Sequence, residues 1–405
     1  MNKYNRIEKH ILNKNSPLWK ACDELCFQSK NLYNYANYIM RQSFINKEGI
    51  IKYNDLTKQL KVSDPFKELG SNSSQHTLKM LCRDWKSFMA LLKMYNKNPK
   101  SLLGRPKLPH YKNKDGRHIC VLTNWQTQIK DGYLYFAFTR MKPFNNMIRT
   151  KIQGHHMQTR IIPRGGSYIL EIVYEIKREE INHESKNIAS IDLGVNNFVT
   201  IANNIGAKSI IINGRGIKSY NVYWNKQMAK YKSLAKTNNK SDWTKKLQQL
   251  TNKRNNKMDY MLHKMSREVV NYCIGLGIDT IIVGLNKEWK QNSNMFKSAN
   301  QTFVQIPFDK FINKLQYKCE DVGIKFIINE ESYTSGTSFL DDELPIKENY
   351  DKSRRQFRGL FVSNNGTKIN ADLNGAYQIM KKVFPNSFEN GIKGVDLHPI
   401  VINLN

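Results

Sequence analysis

The sequence predicts a chain of mixed α/β class in two parts. A small β domain interrupted by helices comes first, and an α/β domain follows. Three observations predict this. Two long helical patterns sit inside a first half whose remaining periodicity is that of strands. Three short strand signals then follow one another between residues 187 and 212. After them, helical and strand signals alternate to the end. With 405 residues, the chain is also long for one ordinary domain.

In the first part, residues 17–46 and 74–95 read as helices. In the second of these, Ser74 is the expected N-cap, and Leu78, Leu81, Trp85, Phe88, Met89 and Leu92 recur at three- and four-residue steps. Residues 104–118, GRPKLPHYKNKDGRH, are punctuated by Gly and Pro and rich in bases. They read as a connector laid against a nucleic-acid backbone, with Arg105 and Lys107 as contacts. Residues 119–140 and 160–177 have strand character, clearest in the alternation of Tyr168, Leu170, Ile172 and Tyr174. The helical lobe (about 17–104) is therefore read as an insert within a β domain spanning 1–183.

A charged run near Lys177–Lys186 marks the boundary. Strands Asn187–Asp192, Phe198–Ala202 and Lys208–Ile212 form a meander. A long helical stretch follows from about 217 to 275, with a break expected at Arg254. Next come strand Thr280–Leu285, helix Phe308–Val322, strand Lys325–Asn329, an irregular segment 332–369 and a last helix, Ala371–Val383. A meander followed by alternating α and β elements is the order of the RNase H fold. The nuclease part is placed at 184–331, the insert at 332–369, and the last helix and tail at 370–405.

Charge points to the partner. Lys and Arg number 64 against 34 Asp and Glu, a formal net charge of +30. Such an excess calls for a polyanion, most commonly nucleic acid. No apolar run is long enough to span a bilayer, so no membrane role is expected. The first residues show no apolar secretory core, and a cytoplasmic, nucleoid-associated location is expected. The six cysteines are scattered without a CxxC pair, and Cys22 and Cys26 read as two small packed residues on one helix face rather than half a metal site.

A nuclease of this fold needs carboxylates to hold two divalent ions across a phosphate. Asp192 closes the first strand in Ile188-Ala-Ser-Ile-Asp192. Asp372 opens the last helix in Asn370-Ala-Asp372-Leu. Singly, the first could be a turn residue and the second a helix-start acid stabilised by the dipole. Together, in the positions this fold requires, they read as catalytic metal ligands. The ions expected are two Mg²⁺, with Mn²⁺ as an alternative. The basic helix through Lys245, Lys246, Lys253, Arg254 and Lys257 is the expected nucleic-acid groove, with Tyr220, Tyr223, Trp224 and Trp243 interleaved. Trp243 is read as packing or clamping the helix. Base readout is sought near Asn72, Gln75 and Gln126.

These residues carry a family resemblance. SIDLGVNNFVTIAN resembles the first RuvC motif of TnpB proteins, the transposon-encoded RNA-guided nucleases related to type V CRISPR effectors. NKRNNKMDYMLHKMSREVVN resembles their basic helix, NADLNGAYQIMKKV their third RuvC motif, and GRPKLPHYK the link after their helical lobe. The resemblance implies a wedge-like β domain with a helical recognition lobe, then a RuvC nuclease domain. It also implies a guide RNA, a double-stranded DNA target, and cleavage next to a short motif read by the protein.

The chain departs from that pattern twice. Relatives carry a Glu at the end of the fourth strand, where this chain has Gly284. The next strand ends in Asn329-Glu330-Glu331, and either Glu330 or Glu331 is expected to reach across Gly284 and replace the missing ligand. Relatives also bind zinc through paired CxxC motifs before the last helix, whereas no cysteine follows Cys319 here, so no zinc is expected. Asp341, Asp342 and Glu343 stay unassigned, with a lid role open, and Arg354, Arg355 and Arg358 are candidate phosphate contacts. Two rival readings remain. One is a nuclease-dead, RNA-guided repressor, which Gly284 favours. The other is a DNA transposase, which the large N-terminal lobe fits less well.

Overall fold

The computed structural model describes residues 2–239, 241–286, 301, 303–357, 359–388 and 395–404. The chain divides into two compact units, Met1–Glu180 and Ile181–Asn405. No described helix is long and apolar enough to cross a membrane.

The first unit opens with β1 (Asn2–Leu12), followed by α1 (Leu18–Ile45), α2 (Tyr53–Leu60), α3 (Asp64–Leu69) and α4 (Ser71–Lys97). Then come β2 (Cys120–Thr123), β3 (Thr127–Lys130), β4 (Tyr133–Phe136), β5 (His155–Arg164) and β6 (Ser167–Arg178). Four strands make an antiparallel sheet in the order β1-β6-β5-β2, and β3 and β4 pair separately. The sequence reading did not single out β1, whose polar and apolar residues do not separate cleanly onto two faces. It pairs along its whole length with β6, from Asn2 opposite Arg178 to Leu12 opposite Tyr168.

The two long helices form because their apolar residues fall on one stripe. On α1 the stripe is Leu18, Cys22, Leu25, Leu32, Ala36 and Met40, and on α4 it is Leu78, Leu81, Trp85 and Phe88. Each larger side chain so buried stabilises the fold by roughly 1.5–3 kcal/mol. Met89 departs from the expected stripe and faces solvent. Cys22 and Cys26 are buried thiols of this core. The Trp85 indole N–H is satisfied by Asn37 Oδ1 at 3.0 Å. Ser74 is not the N-cap: α4 begins three residues earlier, and the Ser74 hydroxyl donates to the Phe66 carbonyl at 2.8 Å.

The basic connector lies along α1. Asn34 exchanges two hydrogen bonds with the backbone of Lys112 (2.9 and 2.8 Å), and Asn37 donates to the Pro109 carbonyl (2.9 Å). Arg117 grips Asp23 with two N–H groups, at 2.9 and 2.7 Å. Arg105 and Lys107 remain exposed.

The second unit holds β7 (Ile188–Leu193), β8 (Asn197–Asn203), β9 (Ile210–Asn213), α5 (Arg215–Asn239), α6 (Lys245–Gly275) and β10 (Thr280–Gly284). Farther along come α7 (Phe308–Asp321), β11 (Lys325–Asn329), β12 (Leu360–Val362), β13 (Lys368–Asn370), α8 (Ala371–Val383) and β14 (Ile400–Ile402). The sheet order is β11-β10-β7-β8-β9-β14. Strands β7, β8 and β9 form the antiparallel meander, β10 and β11 continue parallel to β7, and β14 lies parallel beside β9. The expected break at Arg254 is absent. Arg254 sits within α6, and the two helices part between residues 239 and 245, where Thr244 caps α6 by accepting from Leu247 N.

Strand alternation decides what each sheet face carries. Ala189, Ile191, Leu193, Ile281 and Val283 point into the core shared with α6 and α7. Ile188 and Ile282 point to the opposite face, against Ile379 and Met380 of α8. Ser190 belongs to that second face and donates to the Ala376 carbonyl at 2.6 Å. By the same alternation Asp192 and Gly284 face α8.

The segment between β11 and α8 is fastened to α8 by one stripe of polar side chains. Asn374 accepts from Phe339 N (3.0 Å) and donates to the Thr337 carbonyl (2.8 Å), and Gln378 donates to the Glu343 carbonyl (3.1 Å). The buried Lys381 bonds Asp342 through both its backbone carbonyl, at 2.6 Å, and its carboxylate. Arg354 gathers Glu343 at 2.7 Å, Asp351 at 3.7 Å and Asp341 at 3.9 Å.

Candidate functional site

Asp192, Glu331 and Asp372 line one cavity of about 670 Å³, open to solvent and bordered also by Asn197, Arg215, Asn286, Tyr333, Tyr350 and Arg355. Each carboxylate arrives for a local reason. Asp192 is within β7, paired with Thr200 of β8, and so is a strand residue rather than a turn starter. Asp372 is in the first turn of α8 but does not cap it. Asn370 does, its Oδ1 accepting from Asp372 N at 3.0 Å and Leu373 N at 3.1 Å. The Asp372 carboxylate is thereby left for the cavity, where Asn197 Nδ2 donates to it at 2.7 Å and Arg355 at 3.0 Å.

Glu331 follows the end of β11, and its backbone N–H is held by Asn286 Oδ1 at 3.1 Å. A Cβ added to Gly284 would lie 2.6 Å from Glu331 Oε2 and 2.5 Å from Ile379 Cδ1. The neighbouring Glu330 turns outward. Its carboxylate bonds Lys382 at 2.6 Å and accepts from Ser332 N at 2.9 Å and Ser332 Oγ at 2.7 Å. Glu330 is therefore not among the residues that line the cavity.

The electrostatics follow from this crowding. Burial, then the charges of Asp372 and Glu331, drive the Asp192 carboxyl well above the usual carboxylate range, with Arg355 opposing. Burial, then Glu330, pushes Glu331 up to about 7, with Lys382 opposing. Arg355 and Arg215 are the cations on the cavity lining, beside three carboxylates. Among the described residues no group of three or more His, Cys, Asp or Glu side chains already encloses a single point, and Asp372 is occupied by Arg355 and Asn197. A pair of ions does not need three side chains each, because hard divalent cations complete their shells with water.

The other expected contacts separate into exposed and engaged residues. Lys245, Lys246, Lys253 and Lys257 are exposed on α6, and Lys246, Lys253 and Lys257 recur at seven and four residues, on one face. Arg254, expected among the nucleic-acid contacts, is half-buried and also bonded within its own unit. Its guanidinium donates to Asn221 (3.0 Å), Asn255 (3.1 Å) and the Gln305 carbonyl (2.7 Å), and it lies 5.3 Å over the Trp224 ring. One step around the helix from the lysine face, it points back into its own unit. Trp243 clamps the start of α6, its indole donating to Gln248 at 3.0 Å. Gln126 is likewise spent internally, on Ser73 at 3.1 Å and Thr123 N at 3.1 Å, while Asn72 is exposed. Arg354 belongs to its carboxylate cluster rather than to a free phosphate contact, and Arg358 lies outside the described residues.

Sequence reasoning did not pick out Asn197, Arg215, Asn286, Tyr333 or Tyr350. For Asn197 the signal was present, since it sits in the tight turn straight after Asp192. The aromatic pair had none, because the segment carrying it has no periodicity.

Comparison with known proteins is consistent along the chain. A family model described as "Probable transposase" (OrfB_IS605) matches residues 171–290, and a "Cas12f1-like, TNB domain" model matches residues 308–379. The TnpB-like protein ORF457 of Acidianus two-tailed virus is 24% identical over 400 residues, covering 87% of this chain and 81% of that protein. Two solved complexes also align. The Cas12f1-sgRNA-target DNA complex does so at TM-score 0.38 and 15% identity, covering 92% of this chain and 98% of that one. A CRISPR-Cas12f ternary complex does so at TM-score 0.37 and 14% identity, covering 89% and 80%.

Proposed function

This chain belongs to the TnpB family, and from that premise we propose that it is an RNA-guided DNA endonuclease of a transposable element, cutting next to a short DNA motif. Its C-terminal unit is read as an RNase H-like RuvC nuclease domain, and its N-terminal unit as a wedge domain with a recognition lobe. The observation that carries the proposal is the Glu331 carboxylate standing in the space left by Gly284, at one cavity with Asp192 and Asp372.

The donor set fits a pair of hard cations, Mg²⁺ or Mn²⁺. Three carboxylates line one polar cavity, and the burial that chiefly raises Asp192 and Glu331, with the charges of Asp372 and Glu331 adding at Asp192, is a cost a divalent cation would offset. Asp192, Glu331 and Asp372 would hold the ions, and Asn286 orients Glu331. When bound, such ions supply charge to the scissile phosphate and acidify attacking water. Arg355 has two uses in this reading. It holds Asp372 at 3.0 Å, and from the cavity lining it would also meet a phosphate brought to the site. The exposed face of Lys246, Lys253 and Lys257 would run along a heteroduplex backbone, where base pairing with the guide supplies sequence selection. The net charge of +30 supports nucleic acid as the partner.

The test is reconstitution with the flanking transcript and cleavage of a guide-matched target library in Mg²⁺, comparing wild type with Asp192→Ala, Glu330→Gln and Glu331→Gln. The expected result is cutting by wild type and Glu330→Gln, with loss for the other two. A wild type that binds matched DNA and never cuts it would replace this reading with that of an RNA-guided repressor.

A further inference from the structure

We propose that Tyr333 and Tyr350 form a stacking corner at the mouth of the carboxylate cavity, which receives one unstacked nucleobase of a single strand beside the phosphate presented for cleavage. The inference rests on the endonuclease reading and adds to it two residues that position the substrate at the site.

Four observations carry it. Both rings border the cavity that holds Asp192, Glu331 and Asp372. Their centroids are 5.7 Å apart and their planes meet at 74°, so one ring offers a floor and the other a wall. A base inside a duplex has both faces covered, so only an unstacked base can use such a floor.

Tyr333 is held in the left-handed region, at φ 68°. A bulky non-glycine residue there is unusual and is retained where the surroundings enforce it, often at functional sites. The enforcing contacts belong to the turn that carries Glu331. Thr334 Oγ1 donates to the Glu331 carbonyl at 2.8 Å, and Thr337 Oγ1 donates to the Tyr333 carbonyl at 3.0 Å. The turn therefore sets a metal ligand and an aromatic ring in one piece. Core burial does not explain the ring, since Tyr333 is 39% exposed.

Tyr350 is fixed from behind. A Cβ on Gly336 would lie 2.5 Å from Tyr350 Cε2, so the ring rests directly on glycine backbone, and Asp351 N donates to the Gly336 carbonyl at 2.9 Å. A ring pinned this way gives up little freedom when a base stacks on it. Lys352, with Nζ 6.0 Å from the Tyr350 centroid, adds positive charge where a backbone would pass.

The experiment pairs removal of a ring with removal of a base. Guided complexes of wild type, Tyr333→Ala, Tyr350→Ala and the two Phe variants are assayed in Mg²⁺. The targets carry one abasic residue stepped across the positions flanking the cut. In wild type, one position should slow cleavage about tenfold or more. Each Ala variant should cut intact DNA about tenfold more slowly, mainly through KM, and lose sensitivity to that position. The Phe variants should restore both. An abasic penalty that is equal in wild type and the Ala variants overturns the proposal. A second readout separates it from the cleavage reading: 2-aminopurine at the sensitive position, bound by the Asp192→Asn complex, should be quenched, and Tyr333→Ala or Tyr350→Ala should abolish the quench. Quenching without any cutting by wild type would sink the endonuclease reading alone, and cutting without quenching would sink the corner alone.

Discussion

Glu331 Oε2 occupies the space that a side chain on Gly284 would fill, 2.6 Å from where its Cβ would lie. The two residues sit at the ends of neighbouring parallel strands, with Gly284 paired to Asn329, two residues before Glu331. Gly284→Ala should therefore act on the cavity although it removes no functional group. The new methyl would meet both Glu331 and Ile379. We expect a stability loss of about 1–3 kcal/mol, as for overpacking, and a fall in cleavage of at least tenfold. Thermal unfolding and single-turnover cleavage check this, and full activity in Gly284→Ala would show that Glu331 does not need the gap.

Neutralising Asp192 should stabilise the metal-free protein. Burial and its two carboxylate neighbours raise its carboxyl, so the charged form is disfavoured in the folded state. Asp192→Asn is expected to raise the Tm measured in chelator. It should also lose most of the Tm rise that Mg²⁺ gives wild type. A scan of Tm against Mg²⁺ for both proteins decides it.

Two kinds of basic residue on α6 should separate by experiment. Arg254→Ala removes bonds to Asn221, Asn255 and the Gln305 carbonyl, and should lower stability by about 2–3 kcal/mol with little change in salt dependence. Lys253→Ala and Lys257→Ala should leave Tm unchanged. Each should reduce the slope of log K for nucleic acid against log salt by about 1. The reverse pattern would reassign the face.

The first unit should weaken in acid through His118. Burial, then Lys112, lowers its pKa to about 4, and its Nδ1 lies 3.2 Å from Ser29 Oγ. Between about 4 and 6.5 the unfolded chain binds the proton and the folded chain does not. Stability is then complete above pH 6.5 and falls by about 3 kcal/mol as pH drops to 4. His76 and His156 shift the same way and add to the slope. Urea unfolding from pH 7 to 4 should show a shallower decline for His118→Gln.

What could be read before folding was what local periodicity carries. β7, β10 and β11 showed themselves as short apolar runs, and α4 through its stripe. Alternation along a strand also explains why Glu331, not Glu330, shares a face with Ile327, although the residues alone did not choose between them. What escaped was set by distant partners. β14 is three residues long and exists by pairing with β9. Arg254 looked like its lysine neighbours because residue type states charge and not what spends it. The helix break was misplaced because an Arg amid polar residues resembles an interruption until its partners on α5 are seen.

Arg354 draws Glu343, Asp351 and Asp341 together, in the segment where the resemblance leads one to expect paired thiolates. A finger held by zinc is finished only when the cell delivers the metal, and it competes for a scarce ion with every other zinc protein. Here the segment carries a cross-link made of its own side chains, which forms as those residues pack together. The order of this part of the segment is therefore tied to paired charge, which added salt weakens where the groups meet solvent.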